Sequence, residues 1–263
     1  MIRKHLRMIR TTAFLVRYLR YFKNWPELVF LIAKGKKPTK INLRNGIVIE
    51  APPNNSLLEM TMEMFITNVY TPPDLTIEAN DVVVDIGANI GVFAIYAAGK
   101  TQNTIYAFEP FLENVEFLKK NTDVNDCRNI VIDCLALSDK SAIGKLYISE
   151  ISAGHLMFDH NVKGKLHDYI EVQTKTLEDI MRDHSIDKID FLKLDCEGSE
   201  GQILKAASSN CLGKIAKIAM EFHDNVSLLK HDEIKKLLED HGFSCSLNWD
   251  GKSQFGYLYS RRY

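Results

Sequence analysis

From residue 81 onward, short apolar runs alternate with stretches of helical period. The runs 82–85, 104–109, 129–137, 189–196 and 215–222 are short and mostly apolar, the pattern of parallel strands buried on both faces. Between them, 90–99, 111–121, 199–208 and 231–241 carry helical periodicity, and Gly242 ends the last helix as a left-handed C′ residue. Two further strands, 243–249 and 254–262, flank the turn Asp250-Gly251 and predict a closing antiparallel hairpin. Strand–helix alternation with short connections predicts an α/β fold built on a doubly wound, mostly parallel sheet.

Upstream of this core the pattern is less regular. Residues 41–51 predict a short β segment turning at Asn45-Gly46. A helix over 56–68 follows, with Ser56 as N-cap, Glu59 completing a capping box, and Thr71-Pro72-Pro73 as terminator. Residues 1–33 predict a helical arm broken near Asn24-Trp25-Pro26, joined through a basic linker. The division is thus an arm over 1–40 and a main domain over 41–263. The long connection 138–168 holds a predicted strand at 145–149 and the candidate His155. Insertions beside strand ends usually shape pockets, so ligand specificity is expected there and in residues 1–70.

Charge sharpens this division. The net charge of -1 conceals an arm in which residues 1–40 hold 11 of the 33 Lys and Arg but only Glu27 among the 34 acids. The remaining chain has 22 basic and 33 acidic side chains, an acidic body that argues against a nucleic-acid-binding core. Arg3, Arg7, Arg10 and Arg17 share one helical face, so the arm either packs as a cap or touches the inner face of an anionic membrane. Its apolar runs, 11–16 and 28–33, fall far short of the ~20 residues of a span. Arg17 and Arg20 interrupt any secretory pattern. Five cysteines (Cys127, Cys134, Cys196, Cys211, Cys245) form no CxxC or zinc spacing and read as reduced thiols of a cytoplasmic protein.

Ligands of open α/β sheets bind at the carboxyl ends of strands. The first core strand ends in Val84-Asp85-Ile86-Gly87-Ala88-Asn89-Ile90-Gly91. Gly87 permits a tight turn, Gly91 a close backbone approach, and the next helix points its N–H groups at a ligand. About 20 residues later the second strand ends in Glu109, followed by Pro110 at a helix start. An acid there can accept hydrogen bonds from ribose hydroxyls. The spacing is GxxxG, lacking the dinucleotide fingerprint, so an adenosine-type cofactor without a pyrophosphate is expected.

The segment Val84-Asp85-Ile86-Gly87-Ala88-Asn89-Ile90-Gly91-Val92-Phe93 resembles the first motif of class I S-adenosylmethionine-dependent methyltransferases in the variant of the FkbM family. Phe108-Glu109-Pro110, Ala136-Leu137-Ser138-Asp139, Thr176-Leu177-Glu178-Asp179, the run from Ile189 through Asp195-Cys196-Glu197-Gly198-Ser199-Glu200, and Met220-Glu221-Phe222-His223 extend the likeness over roughly 56–249. The resemblance implies a seven-stranded Rossmann-like methyltransferase sheet with the arm outside it. It places Asp85, Gly87, Ala88, Asn89 and Gly91 along the methionine part of S-adenosyl-L-methionine. Glu109 falls on the ribose, and Leu135 and Ala136 near adenine, with Asp133 and Asp139 only flanking that position.

Asp195, Glu197 and Glu200 crowd the end of the fourth core strand, and Glu221, His223 and Asp224 the end of the fifth. Adjacent strands would bring these ends together beside the cofactor. An alcohol acceptor must lose a proton, so Asp195, Glu197, Glu221 and His223 are the catalytic candidates, with His223 the most basic by nature. Glu200 suits a helix cap or a pairing role. The same acids could hold a divalent metal, yet no Asp-Asn pair ends the fifth strand (Asp224-Asn225 lies one turn later), and no metal ligand is assigned. The sequence therefore predicts an S-adenosylmethionine-dependent O-methyltransferase acting on a sugar, glycan or natural-product hydroxyl. Rival readings are a nucleotide-binding domain and an idle cofactor-binding module at a membrane.

Overall fold

A computed structural model describes residues 20–53, 55–148 and 168–262. Seven strands form the main sheet: β3 (Val83–Ile86), β4 (Ile105–Phe108), β5 (Ile130–Asp133), β9 (Ile189–Leu194), β10 (Ile215–His223), β11 (Ser244–Asn248) and β12 (Phe255–Arg261). Their order is β11-β12-β10-β9-β3-β4-β5. From β5 to β10 every pairing is parallel, whereas β12 runs antiparallel to both β10 and β11. The chain starts at β3 in the middle and winds outward both ways, so strand order reverses between β3 and β9. That reversal opens a crevice at the carboxyl ends.

Alternation along each strand fills two cores. Val83, Ile105, Ala107 and Phe191 face one layer, made by α3 (Val92–Ala98), α4 (Leu112–Val124) and the N-terminal segment. Val84, Ile86, Leu192 and Leu194 face the other, made by α5 (Leu177–Asp183), α6 (Glu200–Ala206), α7 (Ser209–Gly213) and α8 (His231–Asp240). Runs apolar at successive positions are required because both faces of these strands are covered.

The N-terminal segment comprises α1 (Trp25–Ala33), the hairpin β1 (Lys40–Asn42) and β2 (Val48–Glu50), α2 (Leu57–Met62), and one π turn (Glu63–Thr67). From Arg20 onward the arm joins the core: Phe22 bridges to Leu43, and Leu28 is fully buried. Buried Asn121 of α4 donates to Glu50 O (2.8 Å) and Ile90 O (2.9 Å) and accepts from Glu50 N–H (2.8 Å). One amide thereby ties the hairpin to the glycine turn.

Three local expectations are corrected. Ser56 makes no capping hydrogen bond; Asn55 Oδ1 instead accepts from Leu57 N–H (2.6 Å) as an Asx turn. The helix over 56–68 is α-helical only to Met62, then widens into the π turn and stops at left-handed Asn68. The single strand over 129–137 is two. β5 leaves the main sheet after Asp133, and β6 (Ala136–Leu137) pairs with β8 (Tyr169–Lys175) beside β7 (Ala142–Tyr147) in a separate three-stranded sheet. Its apolar residues serve two sheets, which local pattern alone does not separate. The predicted strand at 145–149 lies mostly within β7; His155 falls outside the described residues.

Candidate active site

A cleft of ≈ 1380 Å³ opens along the carboxyl ends of β3, β4, β9 and β10, roofed by α2 and the π turn. At one end the chain turns sharply out of β3. Gly87 and Ala88 N–H groups both donate to Phe108 O (3.0 Å each), hooking the turn over the end of β4. Gly87 has φ +76°, and a Cβ on it would lie 1.8 Å from the Asp195 carbonyl oxygen. Only glycine fits. Asn89, also left-handed at φ 51°, donates its N–H to Glu109 Oε2 (2.9 Å). Glu109 Oε1 accepts from Phe111 N–H (3.0 Å) and Asn114 Nδ2 (3.2 Å). Burial pushes the Glu109 carboxyl above its ordinary range, and these donors pull it back. A carboxylate fixed by backbone donors thus faces the cleft beside the turn, with Leu135 and Ala136 on the same wall.

Three residues expected at the cofactor do not line the cleft. Asp85 is fully buried beneath the turn, its Oδ1 3.0 Å from Lys193 Nζ. Burial raises its pKa and Lys193 opposes that rise. Lys193 also donates to Gly87 O (2.8 Å), so Asp85 acts on the turn only through this lysine. Burial disfavours the Lys193 charge, yet Asp85 and Asp195 hold its pKa above the ordinary value. Ala88 is buried, its N–H taken by Phe108. Gly91 (φ +88°) is required by packing, because a Cβ there would meet Leu118 Cδ1 of α4 at 2.2 Å. Asp133 pairs with His184 Nε2 (2.7 Å), and Asp139 accepts from Ser138 Oγ (3.0 Å).

At the other end the strands bring Asp195, Glu197, Glu221 and His223 into the cleft wall. Two residues absent from the sequence-based candidates complete this cluster. Tyr70 OH lies 2.9 Å from Asp195 Oδ2 and 3.0 Å from Glu221 Oε2, spanning 125 and 151 residues of chain. Glu63, from the π turn, lines the same space. Buried Glu200 accepts from Cys196 N–H (2.9 Å) and Gly198 N–H (3.0 Å) and holds His223 Nδ1 at 3.2 Å. Glu197 sits at φ 52°, a left-handed conformation that L side chains adopt only when the surroundings impose it.

Crowded carboxylates in a buried cleft resist ionisation. Burial, then Asp195 and Glu59, push Glu63 up to about 8. Burial and Asp195 raise Glu197 to about 7 despite His223. Burial, then Asp195, lift Glu221 well above the carboxylate range. A phenol donates one proton only, so one of the two Tyr70 contacts needs a proton on its acid; Glu221 is that acid. Burial opposes charge on His223, but Glu197 and Glu200 hold its pKa well above the usual value. In this cluster His223 therefore holds a proton more readily than a free imidazole. Asp224 is turned away, bound to His231 Nδ1 (2.6 Å).

Comparison with known proteins fits this geometry. Residues 85–245 match the family model described as the methyltransferase FkbM domain. The chain is similar to the methyltransferase sdnD of Sordaria araneosa, 26% identical over 76% of this chain and 88% of that one. It is also similar to the 31-O-demethyl-FK506 methyltransferase FkbM of Streptomyces tacrolimicus, 25% identical over 80% and 90%. A third relative is the hexuronic acid methyltransferase AglP of Haloferax volcanii, 26% identical over 65% and 66%. Among solved structures, a methyltransferase FkbM from Methylobacillus flagellatus KT aligns with TM-score 0.48 at 19% identity over 76% of this chain; the chain spans about half, 47%, of that one. The family match covers most of the sheet and both ends of the cleft, and the chain belongs to the FkbM family of methyltransferases, whose cofactor is S-adenosylmethionine.

Proposed function

We propose that this chain transfers a methyl group from S-adenosylmethionine to a hydroxyl oxygen of a sugar, glycan or other small-molecule acceptor. The observation that carries the reading is one continuous cleft joining the backbone-held Glu109 to the Asp195–Glu197–Glu221–His223 cluster. When bound, the cofactor supplies a methyl group activated on a sulfonium. The residues fit it: a turn with no room for a Cβ at Gly87, an anchored acid for ribose hydroxyls, and the apolar wall of Leu135 and Ala136 for adenine. Met60, Met64, Phe255 and Tyr257 also line the cleft and offer the acceptor an aromatic and thioether wall. Holding reactants in line there can supply about 7–11 kcal/mol of the barrier lowering in such a displacement.

Glu197, with its pKa near 7, is the group best matched to take the hydroxyl proton. The FK506 methyltransferase and hexuronic acid methyltransferase relatives support oxygen or sugar acceptors. The test is mass spectrometry of products from a panel of hydroxylated sugars and polyketides incubated with the protein and labelled cofactor. Glu197→Gln should slow transfer about 100-fold while leaving cofactor affinity within threefold. Methylation only at nitrogen or carbon would overturn the oxygen assignment.

A peripheral membrane contact of the arm, with the enzyme on the cytoplasmic side, is a second reading with its own observation. Trp25 (42%) and Phe30 (62%) of α1 stand exposed near exposed Lys34, Lys36 and Lys37. Aromatic side chains beside cations suit an anionic lipid surface. Among the described residues no helix is long and apolar enough to cross a membrane. Salt-sensitive sedimentation with phosphatidylserine vesicles, lost in Trp25→Ala/Phe30→Ala, tests it; equal sedimentation with neutral vesicles speaks against it.

A further inference from the structure

We propose that Tyr257 selects a polyhydroxylated acceptor by donating a hydrogen bond from its phenol to a second hydroxyl beside the one that is methylated. The role rests on the methyl-transfer reading and deepens it; the observation beneath it is a phenol left without a partner. Tyr257 stands on β12 in the cleft wall and is buried, with 5% of its surface exposed. Its hydroxyl makes no hydrogen bond among the described residues, whereas a buried phenol usually finds one. The oxygen is not sealed inside the protein, so its partner must come from the cleft.

The neighbouring tyrosines show the contrast. Tyr96 OH lies 2.8 Å from Thr71 Oγ1, and Tyr259 OH donates to Val69 O (2.5 Å). Tyr70 is taken by Asp195 and Glu221. Tyr257 is held by its ring alone, edge-on to Tyr70 (centroids 5.4 Å apart, planes at 86°) and parallel to Tyr259 (6.4 Å, 5°). Its place opposite Glu221 in the β10–β12 register sets it beside the carboxylate cluster. A donor fixed in this way, with no protein group to satisfy it, is preorganised for a ligand.

The surroundings define what this phenol can receive. Burial, then Glu221, Glu63 and Asp195, keep its pKa well above the ordinary value, so at neutral pH it is a donor. The same three acids disfavour an anionic partner such as a carboxylate or phosphate. A neutral hydroxyl suits, because its oxygen accepts from Tyr257 and its own proton is left for a nearby carboxylate oxygen. Phe255, Tyr257 and Tyr259 are alternate residues of β12 and all line the cleft, giving the ring carbons of such an acceptor an apolar surface. The family match ends at residue 245, so this stripe lies beyond the matched segment that carries the cofactor end of the cleft.

The test is steady-state methylation of matched probes by the full chain with labelled S-adenosylmethionine. The pairs are a cyclohexane diol with adjacent hydroxyls against cyclohexanol, and methyl hexopyranosides against their monodeoxy analogues. In the wild type, kcat/KM for the polyol is expected to exceed that of its matched partner by about tenfold or more. In Tyr257→Phe, which keeps the ring and loses only the hydroxyl, that ratio should fall to about threefold or less, chiefly through the KM of the polyol. Tyr259→Phe, which loses a hydroxyl bound to Val69, should keep the wild-type ratio. Thermal unfolding and calorimetric cofactor affinity show that each variant is folded. A folded Tyr257→Phe with the wild-type ratio, or a wild type with no preference for the polyol, overturns the role of Tyr257 and leaves the methyl-transfer reading standing. No methylated product from any probe, with S-adenosylmethionine bound, overturns that reading and this role together.

Discussion

The two ends of the cleft hold their acids in opposite ways. At the glycine turn, Glu109 has three donors from Asn89, Phe111 and Asn114, all within 20 residues of it. At the far end, Glu63, Glu197 and Glu221 share a buried space with raised pKa values and few donors. The first end is a finished binding surface, stable without a ligand. The second stores unfavourable charge that protons relieve in the free protein. A binding site can be built from satisfied groups, whereas groups that must exchange protons with a substrate are kept near the point of doing so. Asp85 and Lys193 lie beneath both ends and connect them, since Lys193 reaches Gly87 O on one side and Asp195 on the other.

The largest expected effect breaks that connection. Lys193→Met strands a fully buried Asp85 carboxylate and should cost about 3–5 kcal/mol in urea unfolding; a loss below about 1 kcal/mol would show that Asp85 folds without needing its partner. Next comes Gly87→Ala, which sets a Cβ against the Asp195 carbonyl in a left-handed backbone. A loss of about 3 kcal/mol is expected, together with cofactor binding. Glu109→Ala should weaken S-adenosylmethionine about 100-fold, or about 2.7 kcal/mol, with little change in folding; retained affinity would remove the ribose assignment.

The smallest effect separates the ends by pH. Glu63 carries a folded pKa of about 8 against 4.5 unfolded, so the folded state binds the extra proton in that window. Stability from this group is complete below about 4.5 and is lost as pH rises toward 8. Glu63→Gln should therefore match the wild type near pH 5 and melt a few degrees higher near pH 8.5. Identical pH profiles would show that Glu63 is solvated rather than crowded.

Much of the architecture followed from local pattern. Apolar runs of four to nine residues between helical stretches need no partner information to be recognised as doubly covered strands, and Gly242 and Asp250-Gly251 punctuate the C-terminal elements where expected. The family resemblance added the seven-stranded sheet and the cofactor. The roles of Asp85, Ala88 and Gly91 did not follow, because a residue in a ligand-binding turn can serve the turn, the neighbouring helix or the ligand without any change in spacing. Lys193 offered a signal, a lone cation inside Phe191-Leu192-Lys193-Leu194 that had to find a buried partner. Tyr70 and Glu63 offered none, because Asp195, which both meet, is more than a hundred residues away.

By itself, the sequence determined the doubly wound sheet, the glycine turn and the anchored acid at the end of the second core strand. Each depends on neighbours within about twenty residues, where backbone geometry and hydrophobic period act directly. Only the tertiary structure decided which acids meet, that β6 leaves the main sheet, and that His223 sits between Glu197 and Glu200. Burial and electrostatic coupling belong to positions in space, and residues far apart in the chain acquire them only after the strands have paired.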